Sequence, residues 1–331
     1  MTEYRDASEI ESPRAGWAIA KRVLREVLSE RGVDVSDRDA VAIGWVRYLG
    51  EGCTYRTWRA TCSWPEAGPS REAELVVRLP IAPAADDQPQ KARRELELLR
   101  RLAELHVPWR LPQPVACVPV EAGLAQVQHL VPGVPLEMRA SRSRVRPWAV
   151  ISEVASACHR VDPARLADLL PGTATRRRHA ESAIEVLLRS DVPELRDAHA
   201  WACENLPPET PSRLLHGDLL GHNLHLDRDE GGPVGVLDWS EARLGDPAYD
   251  LAIVTRGARR PFQSARGLQN LLEAYNDQAG EPVSARQVHL HELSLVAGWY
   301  LKDQEQGARD AHLQTRLSHL RNVLRRAESA Q

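Results

Sequence analysis

Two stretches decide how the whole chain is interpreted: LHGDLLGHN over residues 215–223 and VLDW over residues 236–239. They place Asp218 first, Asn223 five residues later, and Asp238 twenty residues after Asp218. Short runs with strand-like composition separate these polar residues. A tight loop with one carboxylate and one amide, followed by a hairpin that ends in a second carboxylate, can bring the three side chains together.

Such a set of side chains suits the transfer of a phosphoryl group. One carboxylate orients the attacking hydroxyl group and accepts its proton. The amide and the other carboxylate supply oxygen ligands for Mg²⁺, the ion that bridges the phosphates of a nucleotide. The alternative for the same residues is a polar turn in a core hairpin that carries no chemistry.

The pattern H-G-D-x-x-x-x-N followed by L-D-W resembles the aminoglycoside phosphotransferase family of kinase-like enzymes. The continuation DWSEARLGDPAYDLA, residues 238–252, is similar to the antibiotic kinases of that family and points to its hygromycin and macrolide branch. The resemblance implies that Asp218 is the catalytic base and that Asn223 and Asp238 bind Mg²⁺. A pseudokinase that keeps the fold without turnover is the alternative.

The resemblance also assigns supporting roles near the motif. His216 is expected to brace the catalytic loop, and His159 is expected to be a structural histidine close to it. Asp246 and Asp250 are expected to bond backbone groups and so hold the loop and the helix that follows. All four are thus expected to have structural roles around the catalytic loop.

A glycine-containing segment, GEGCTY over residues 50–55, lies between two runs with strand propensity. Glycine at such a turn lets backbone N–H groups approach phosphate oxygens. The position of this segment in the family pattern makes Gly50, Gly52 and Thr54 candidates for covering the nucleotide phosphates. An ordinary hairpin turn is the alternative for G-x-G between strands.

The nucleotide-binding lysine of the family should fall in ELVVRLP, residues 74–80, where this chain has Arg78. Arginine keeps the positive charge, but its guanidinium group is planar and forked, so the exchange is not automatically neutral. The resemblance implies a glutamate partner on the next helix. Glu95 fits best, because Glu97 would lie on another side of that helix. A surface arginine or glutamate is the alternative at either position.

The segment VQHLVPGVPL, residues 127–136, resembles the hinge of the family, which ends in P-G-x-P-L. Backbone groups of Gln128, His129 and Leu130 are therefore expected to bind the purine of the nucleotide. Side-chain identity does not distinguish the bases in such an arrangement. ATP and GTP both stay open as donors of the phosphoryl group.

Apolar spacing predicts amphipathic helices over residues 16–31 and 91–105. Two β-runs are expected within residues 41–63, and a Pro-, Gly- and Ser-rich turn is expected over residues 64–72. The basic triplet at 176–178 is interpreted as a solvated helix face.

The dipeptide at 132–133, Pro-Gly, interrupts the β-like pattern and separates two regions of different character. Residues 1–130 are expected to form a mostly β nucleotide-binding lobe with one long helix. Residues 131–331 are expected to form a larger, mainly helical lobe for catalysis and substrate binding. The fold class is therefore α+β, and the resemblance implies a two-lobed, protein-kinase-like fold.

Composition excludes several classes of protein. The 331 residues include 43 basic and 46 acidic side chains, which gives a net charge of −3 and no electrostatic footprint for nucleic acid. The sequence has no long apolar run and no apolar leader at its start, so neither a membrane span nor a secretory signal is expected. Five scattered cysteines without C-x-x-C suit a reducing cytoplasm, and a monomer is the expected state.

The helices expected to select the substrate, about residues 137–210 and 258–331, contain no recognisable motif. Candidate lining residues are Glu241, Trp299 and Asp303, and packing or surface roles are the alternative for each. A net charge of only −3 disfavours a highly charged aminoglycoside. Hygromycin-like, macrolide and nucleoside antibiotics stay open as substrates, and a metabolite such as choline, homoserine or a sugar is the second hypothesis.

Overall fold

The structure is a computed structural model that describes residues 13–30, 42–52, 54–66, 68–81, 87–227 and 231–330. The chain divides into two compact units. The N-terminal unit comprises Met1–Leu105 and Leu111–Val131, and the C-terminal unit comprises His106–Arg110 and Pro132–Gln331. The first is built on a sheet and the second is mainly helical, which confirms the α+β class.

The N-terminal unit contains an antiparallel sheet of five strands in the order β1-β2-β3-β5-β4. The strands are β1 (Ala42–Glu51), β2 (Tyr55–Glu66), β3 (Gly68–Pro80), β4 (Pro114–Val120) and β5 (Gly123–His129). Its helices in the described residues are α1 (Pro13–Glu30) and α2 (Gln88–Glu104). Both helices predicted from apolar spacing are therefore present.

The core of this unit forms where α1 packs against the sheet. Ala20, Val23 and Leu24 of α1 are buried in one cluster with Trp58 of β2 and Val77 of β3. Their spacing along the helix is the i, i+3, i+4 pattern that places side chains on one face. The strand that carries Arg78 is thereby held in the interior of the unit.

The prediction of a turn over the whole of residues 64–72 is wrong. Strand β2 continues to Glu66 and β3 begins at Gly68, with Ser63 paired to Glu72 across the ladder. Proline, glycine and serine favour loops, but a neighbouring strand that supplies backbone partners overrides this weak local preference. Residues 64–66 and 68–72 therefore belong to the two strands.

The C-terminal unit contains helices joined by short strands. The helices are α3 (Pro147–Arg160), α4 (Arg176–Ile184), α5 (Pro193–Glu204), α6 (Ala248–Thr255), α7 (Gly267–Asn276), α8 (Ala285–Glu305) and α9 (Asp310–Ser329). The strands are β6 (Val134–Pro135), β7 (Arg213–Leu215), β8 (Leu224–Leu226), β9 (Gly235–Val236) and β10 (Arg243–Gly245).

Helix α8 is the central helix of this unit. Its side chains Leu290, Leu293 and Val296 are buried together with residues of α4, α5 and α9. Ser284 begins the helix with a capping box, in which its hydroxyl accepts from the N–H of Gln287 and the Gln287 side chain accepts in return. Among the residues that the structure describes, no helix is long and apolar enough to cross a membrane.

Candidate active site

The segment that follows β7 is held by Asp250 at the start of α6. The backbone N–H groups of His216 and Gly217 donate to its two carboxylate oxygens at 2.9 and 2.8 Å. His159 contacts the same carboxylate at 3.2 Å. Burial alone would raise the pKa of Asp250, but the hydrogen bond and charge of His159 outweigh it and lower the pKa. Asp250 is thus a buried anion that holds the backbone just before Asp218.

His216 connects this segment to the strand that leads to Asp238. Its Nε2 lies 2.9 Å from the carbonyl oxygen of Leu237, and its Nδ1 accepts from the N–H of Asp218 at 3.2 Å. Because Nδ1 accepts, Nε2 carries the proton and donates to Leu237. The ring also packs on Trp239 with 4.6 Å between centroids. His216 therefore fixes the relative positions of Asp218 and Asp238.

Asp218 and Asn223 are in direct contact. The amide nitrogen of Asn223 donates to the backbone oxygen of Asp218 at 2.8 Å and to its carboxylate at 2.9 Å. Both bonds use the nitrogen, so the amide oxygen of Asn223 faces away from Asp218. The side chain of Asp218 is 30% exposed, which leaves its carboxylate accessible to an acceptor molecule.

Asp238 lies next to this pair. The N–H of Leu237 donates to the backbone oxygen of Asn223 at 2.8 Å, which brings the following residue close to the amide side chain. The backbone of Asp238 has φ of 58°, a left-handed conformation that is uncommon outside glycine and occurs at functional sites. Its Oδ1 accepts from the hydroxyl of Ser240 at 2.9 Å. The structure thus places the backbone of Asp238 directly after a residue bonded to Asn223, which itself contacts Asp218.

Gly217 allows the backbone to pass close to Glu241. Its φ is +82°, and a Cβ at this position would lie 2.2 Å from the carbonyl oxygen of Glu241. Glu241 itself forms an ion pair with Arg243 at 2.9 Å, with 43% of its side chain exposed. The substrate candidate Glu241 therefore lies beside the segment that leads to Asp218, with its charge partly compensated by Arg243.

Asp246 does not hold the loop mainly through backbone groups, as the resemblance implied. Its carboxylate binds Nε of Arg176 at 2.8 Å and Nε2 of His291 at 2.9 Å, and its N–H donates to His179. Burial would raise the pKa of Asp246, but the hydrogen bond and charge of His291, with those of Arg176, lower it to about 2. A buried carboxylate requires such partners, because an unpaired charge in the interior is strongly unfavourable.

The sequence does not predict that Arg176 is buried. It was expected on a solvated face, but it is 2% exposed and also binds Glu281 at 3.0 Å. Positions 176, 179, 180 and 184 share the buried side of α4 at helical spacing. That period was the available signal, and the run of three arginines obscured it.

In the N-terminal unit, Arg78 and Glu95 form a buried ion pair. Nη1 of Arg78 lies 2.9 and 3.0 Å from the two carboxylate oxygens of Glu95. The amide of Gln126 also donates to Glu95 at 2.9 Å, and the guanidinium of Arg78 lies 4.4 Å from the ring centroid of Tyr55. Glu97 instead contacts Arg101 on another side of α2. Glu95, the glutamate that the helix spacing favours, is therefore the partner of Arg78.

The glycine segment is a turn between β1 and β2. Gly50 has φ of +151°, and the N–H of Gly52 donates to the carbonyl oxygen of Tyr55 at 2.9 Å. The backbone oxygen of Thr54 accepts from Ile81 at 3.0 Å. Cys53 lies outside the described residues. The segment therefore has the hairpin geometry of the alternative interpretation, and its contact with phosphate stays a prediction.

The hinge candidates lie at the end of β5. Gln128 pairs with Val76 in the sheet, and the N–H of His129 donates to the carbonyl oxygen of Gln113 at 2.9 Å. The N–H of Leu130 donates to Glu74 at 2.9 Å. These two N–H groups are thus used within the unit, so purine binding would rely on neighbouring backbone groups.

The substrate candidates Trp299 and Asp303, both on α8, are in contact with basic side chains. The guanidinium groups of Arg256 and Arg316 lie 5.8 and 5.6 Å from the ring centroid of Trp299. Asp303 binds Arg316 at 2.7 Å and His312 at 2.8 Å. Burial tends to raise the pKa of Asp303, but the bonds from Arg316 and His312 lower it overall. This face offers little negative charge to a polycationic ligand.

An antiparallel N-terminal sheet with a buried Arg–Glu pair, followed by a helical unit with the H-G-D segment, defines the class of kinase-like phosphotransferases. The sequence profile described as "Phosphotransferase enzyme family" matches residues 46–288, and this chain belongs to that family.

A curated relative, viomycin phosphotransferase of Streptomyces vinaceus, is 31% identical over 188 residues. The match covers 52% of this chain and 63% of that relative, which is less than two thirds of its length. Four other curated relatives are matched over 26% of their length or less.

Solved structures share the fold over most of the chain. Aminoglycoside 2′-phosphotransferase-IIIa, in its GDP complex, has a TM-score of 0.64 and 16% identity, covering 89% of this chain and 97% of that one. Choline kinase LicA from Streptococcus pneumoniae has a TM-score of 0.57 and 15% identity, covering 93% and 99%. These likenesses confirm the kinase-like fold.

Proposed function

We propose that the protein transfers the γ-phosphoryl group of a nucleoside triphosphate to a hydroxyl group of an antibiotic. The contact between Asp218 and Asn223, beside Asp238, carries this proposal. The hydroxyl oxygen forms its bond to the γ-phosphorus as the bond to the leaving nucleoside diphosphate breaks. Asp218 orients that hydroxyl group and accepts its proton, and its 30% exposed carboxylate supports the role.

Asn223 and Asp238 would hold Mg²⁺. An amide oxygen and a carboxylate are the hard oxygen ligands that this ion prefers, and the site keeps both on adjacent backbone segments. When bound, the ion neutralises negative charge on the phosphates. The bond from the Asn223 amide to Asp218 keeps the ligand and the proposed base in fixed relation.

The N-terminal unit would bind the nucleotide. Arg78 would contact the phosphates, and its ion pair with Glu95 holds the guanidinium in place. Gly50, Gly52 and Thr54 would cover the phosphates, and backbone groups around Gln128, His129 and Leu130 would contact the purine of ATP or GTP. In this proposal, residues 1–130 are the nucleotide-binding part of the chain and 131–331 the catalytic part.

An antibiotic acceptor is favoured by the motif over residues 238–252 and by the similarity to viomycin phosphotransferase. Viomycin therefore joins hygromycin-like, macrolide and nucleoside antibiotics as a candidate, and Glu241 is the best placed residue to contact the acceptor. The reaction would confer resistance or self-protection on a cytoplasmic, monomeric enzyme. A metabolite kinase is the second candidate, since Asp303 is neutralised by Arg316 and the fold extends to choline kinase LicA.

The test is Mg²⁺-dependent transfer from ATP and GTP to a mixed panel of acceptors. The panel holds viomycin, aminoglycosides, hygromycin, macrolides, nucleoside antibiotics, choline and homoserine, and mass spectrometry detects the added phosphoryl group. Asp218→Asn should lower turnover by about 10²–10⁴-fold while nucleotide binding persists, because it removes only the proton acceptor. Full turnover in this variant contradicts the role of Asp218, and product with choline alone favours the metabolite kinase.

A further inference from the structure

A basic cavity of about 800 Å³ lies in the C-terminal unit, apart from the residues discussed above. It is bordered by the loop that follows α6, by α8 and by the C-terminal half of α9. None of its lining residues in the described chain is acidic. Its titratable lining residues are Arg259, His289, His319, Arg325 and Arg326.

The arginines of this cavity are only partly compensated by acidic groups, because the carboxylate of Glu292 acts on the charge of Arg326. Within the part of the chain that the structure describes, none of them forms an ion pair with a carboxylate. Arg326 donates to the carbonyl oxygen of Gly257 at 2.7 Å, and Arg325 donates to the side chain of Asn322. Burial lowers the pKa of Arg326; the charge of Glu292 opposes this shift, and the charge of Arg259 adds to it. Like charges around one cavity favour the binding of an anion.

His289 adds a buried polar group to the same cavity. It is 4% exposed, and its Nδ1 lies 2.7 Å from a carboxylate oxygen of Glu292. The other oxygen of Glu292 accepts from the N–H of Gly257 at 3.0 Å and from the hydroxyl of Thr255. Glu292 therefore fixes the orientation of the imidazole at the wall of the cavity.

We propose that this cavity binds a small phosphate-bearing anion, a function beyond the proposed phosphoryl transfer. Several guanidinium groups from two elements match a group with three or more oxygen atoms, whereas one carboxylate would use only part of this donor set. The volume is that of a small-molecule site, about 300–1,000 Å³ in general, and exceeds the need of a single inorganic ion.

The position of the cavity connects it to the catalytic segment through one short helix. Asp250 in the first turn of α6 holds the backbone before Asp218, and Gly257 just beyond the end of α6 is bonded to Glu292 and Arg326. An anion that binds Arg259 and Arg326 steadies the loop at that end. Binding of this kind stabilises the folded state by mass action.

The test is calorimetric titration of the full chain with pyrophosphate, in EDTA and at constant ionic strength. Arg259→Gln and Arg325→Gln should each weaken binding about tenfold, because each removes one charge-assisted contact. Arg260→Gln is the matched control: it removes an exposed arginine that is adjacent in sequence but does not line the cavity. Its affinity should stay that of the unchanged protein.

Three results would overturn the proposal: no detectable binding, equal weakening in Arg260→Gln, or citrate binding as tightly as pyrophosphate. The last would replace the phosphate class with carboxylates. Binding that is unchanged in the double variant Arg78→Met/Glu95→Met, which removes the proposed phosphate contact, separates this cavity from the proposed nucleotide site. The pyrophosphate titration can therefore be interpreted even if the protein transfers no phosphoryl group.

Discussion

Arg78, which we propose contacts the nucleotide, is also half of a buried ion pair. It is 8% exposed as a side chain and lies against Glu95, which is 2% exposed. A buried pair of this kind gains little net free energy, but removing one partner leaves an uncompensated charge in the interior. The ion pair therefore makes Arg78 structurally necessary whether or not a nucleotide is bound.

We predict that Arg78→Met lowers the free energy of unfolding by about 3–5 kcal/mol, because Glu95 is left buried without its cation. The double variant Arg78→Met/Glu95→Met should recover most of that loss, since neither charge remains. Urea unfolding measures both values. Nucleotide affinity, measured by calorimetry, should be lost in both variants. Restored affinity in the double variant would show that Arg78 does not contact the phosphates.

Arg78 and Asp303 show which ion pairs could be predicted from the sequence and which could not. Arg78 and Glu95 could be paired because the resemblance implies a glutamate partner on the next helix, and helix spacing favours one of two glutamates. The bonds of Asp303 to Arg316 and His312 could not be predicted, because no recognisable motif covers that region.

At the scale of elements, long periodic segments were predictable and short ones were not. The helices near 16–31 and 91–105 have a clear apolar face. Strands β6 and β10 contain two and three residues, too few for any periodic pattern, and their pairing comes from neighbouring segments. The candidate site depends on these short elements, so its composition could be predicted from the motif but its contacts could not.

The connection between β7 and Asp218 depends on Gly217. We predict that Gly217→Ala lowers turnover at least about tenfold and stability by about 1–3 kcal/mol, because it combines a strained φ with a clash. The Cβ would meet the carbonyl oxygen of Glu241 at 2.2 Å, and neither backbone segment can yield without moving Asp218. Steady-state kinetics and thermal unfolding measure the two effects.

Gly280→Ala is the matched control for this change, because no atom lies within 4 Å of a Cβ at that position. It should leave turnover and stability close to those of the unchanged protein. If Gly217→Ala behaves in the same way as this control, the close approach to Glu241 does not constrain the catalytic segment.

For the whole molecule, a buried polar network determines the response to acid. His179 lies beside Asp246 and His291 in the C-terminal unit. Burial, with the charge of His291, lowers the pKa of His179 to about 3. Below about pH 6.5 the unfolded chain therefore takes up a proton that folded His179 does not, and stability falls as pH falls. Asp246 adds a second loss between its unfolded value of 3.8 and about 2.

We predict that the free energy of unfolding decreases between pH 6 and pH 4.5 by up to about 1.4 kcal/mol per pH unit through His179 alone. Urea unfolding at closely spaced pH values measures the slope. His179→Asn should remove this contribution to the slope, because asparagine does not titrate in this pH range. A constant difference in stability between the two proteins does not affect the comparison of slopes. Equal slopes in both proteins would contradict the buried neutral state of His179. If the variant does not fold, histidine NMR of the unchanged protein tests whether buried His179 is neutral. In that case His179 should not titrate above about pH 4.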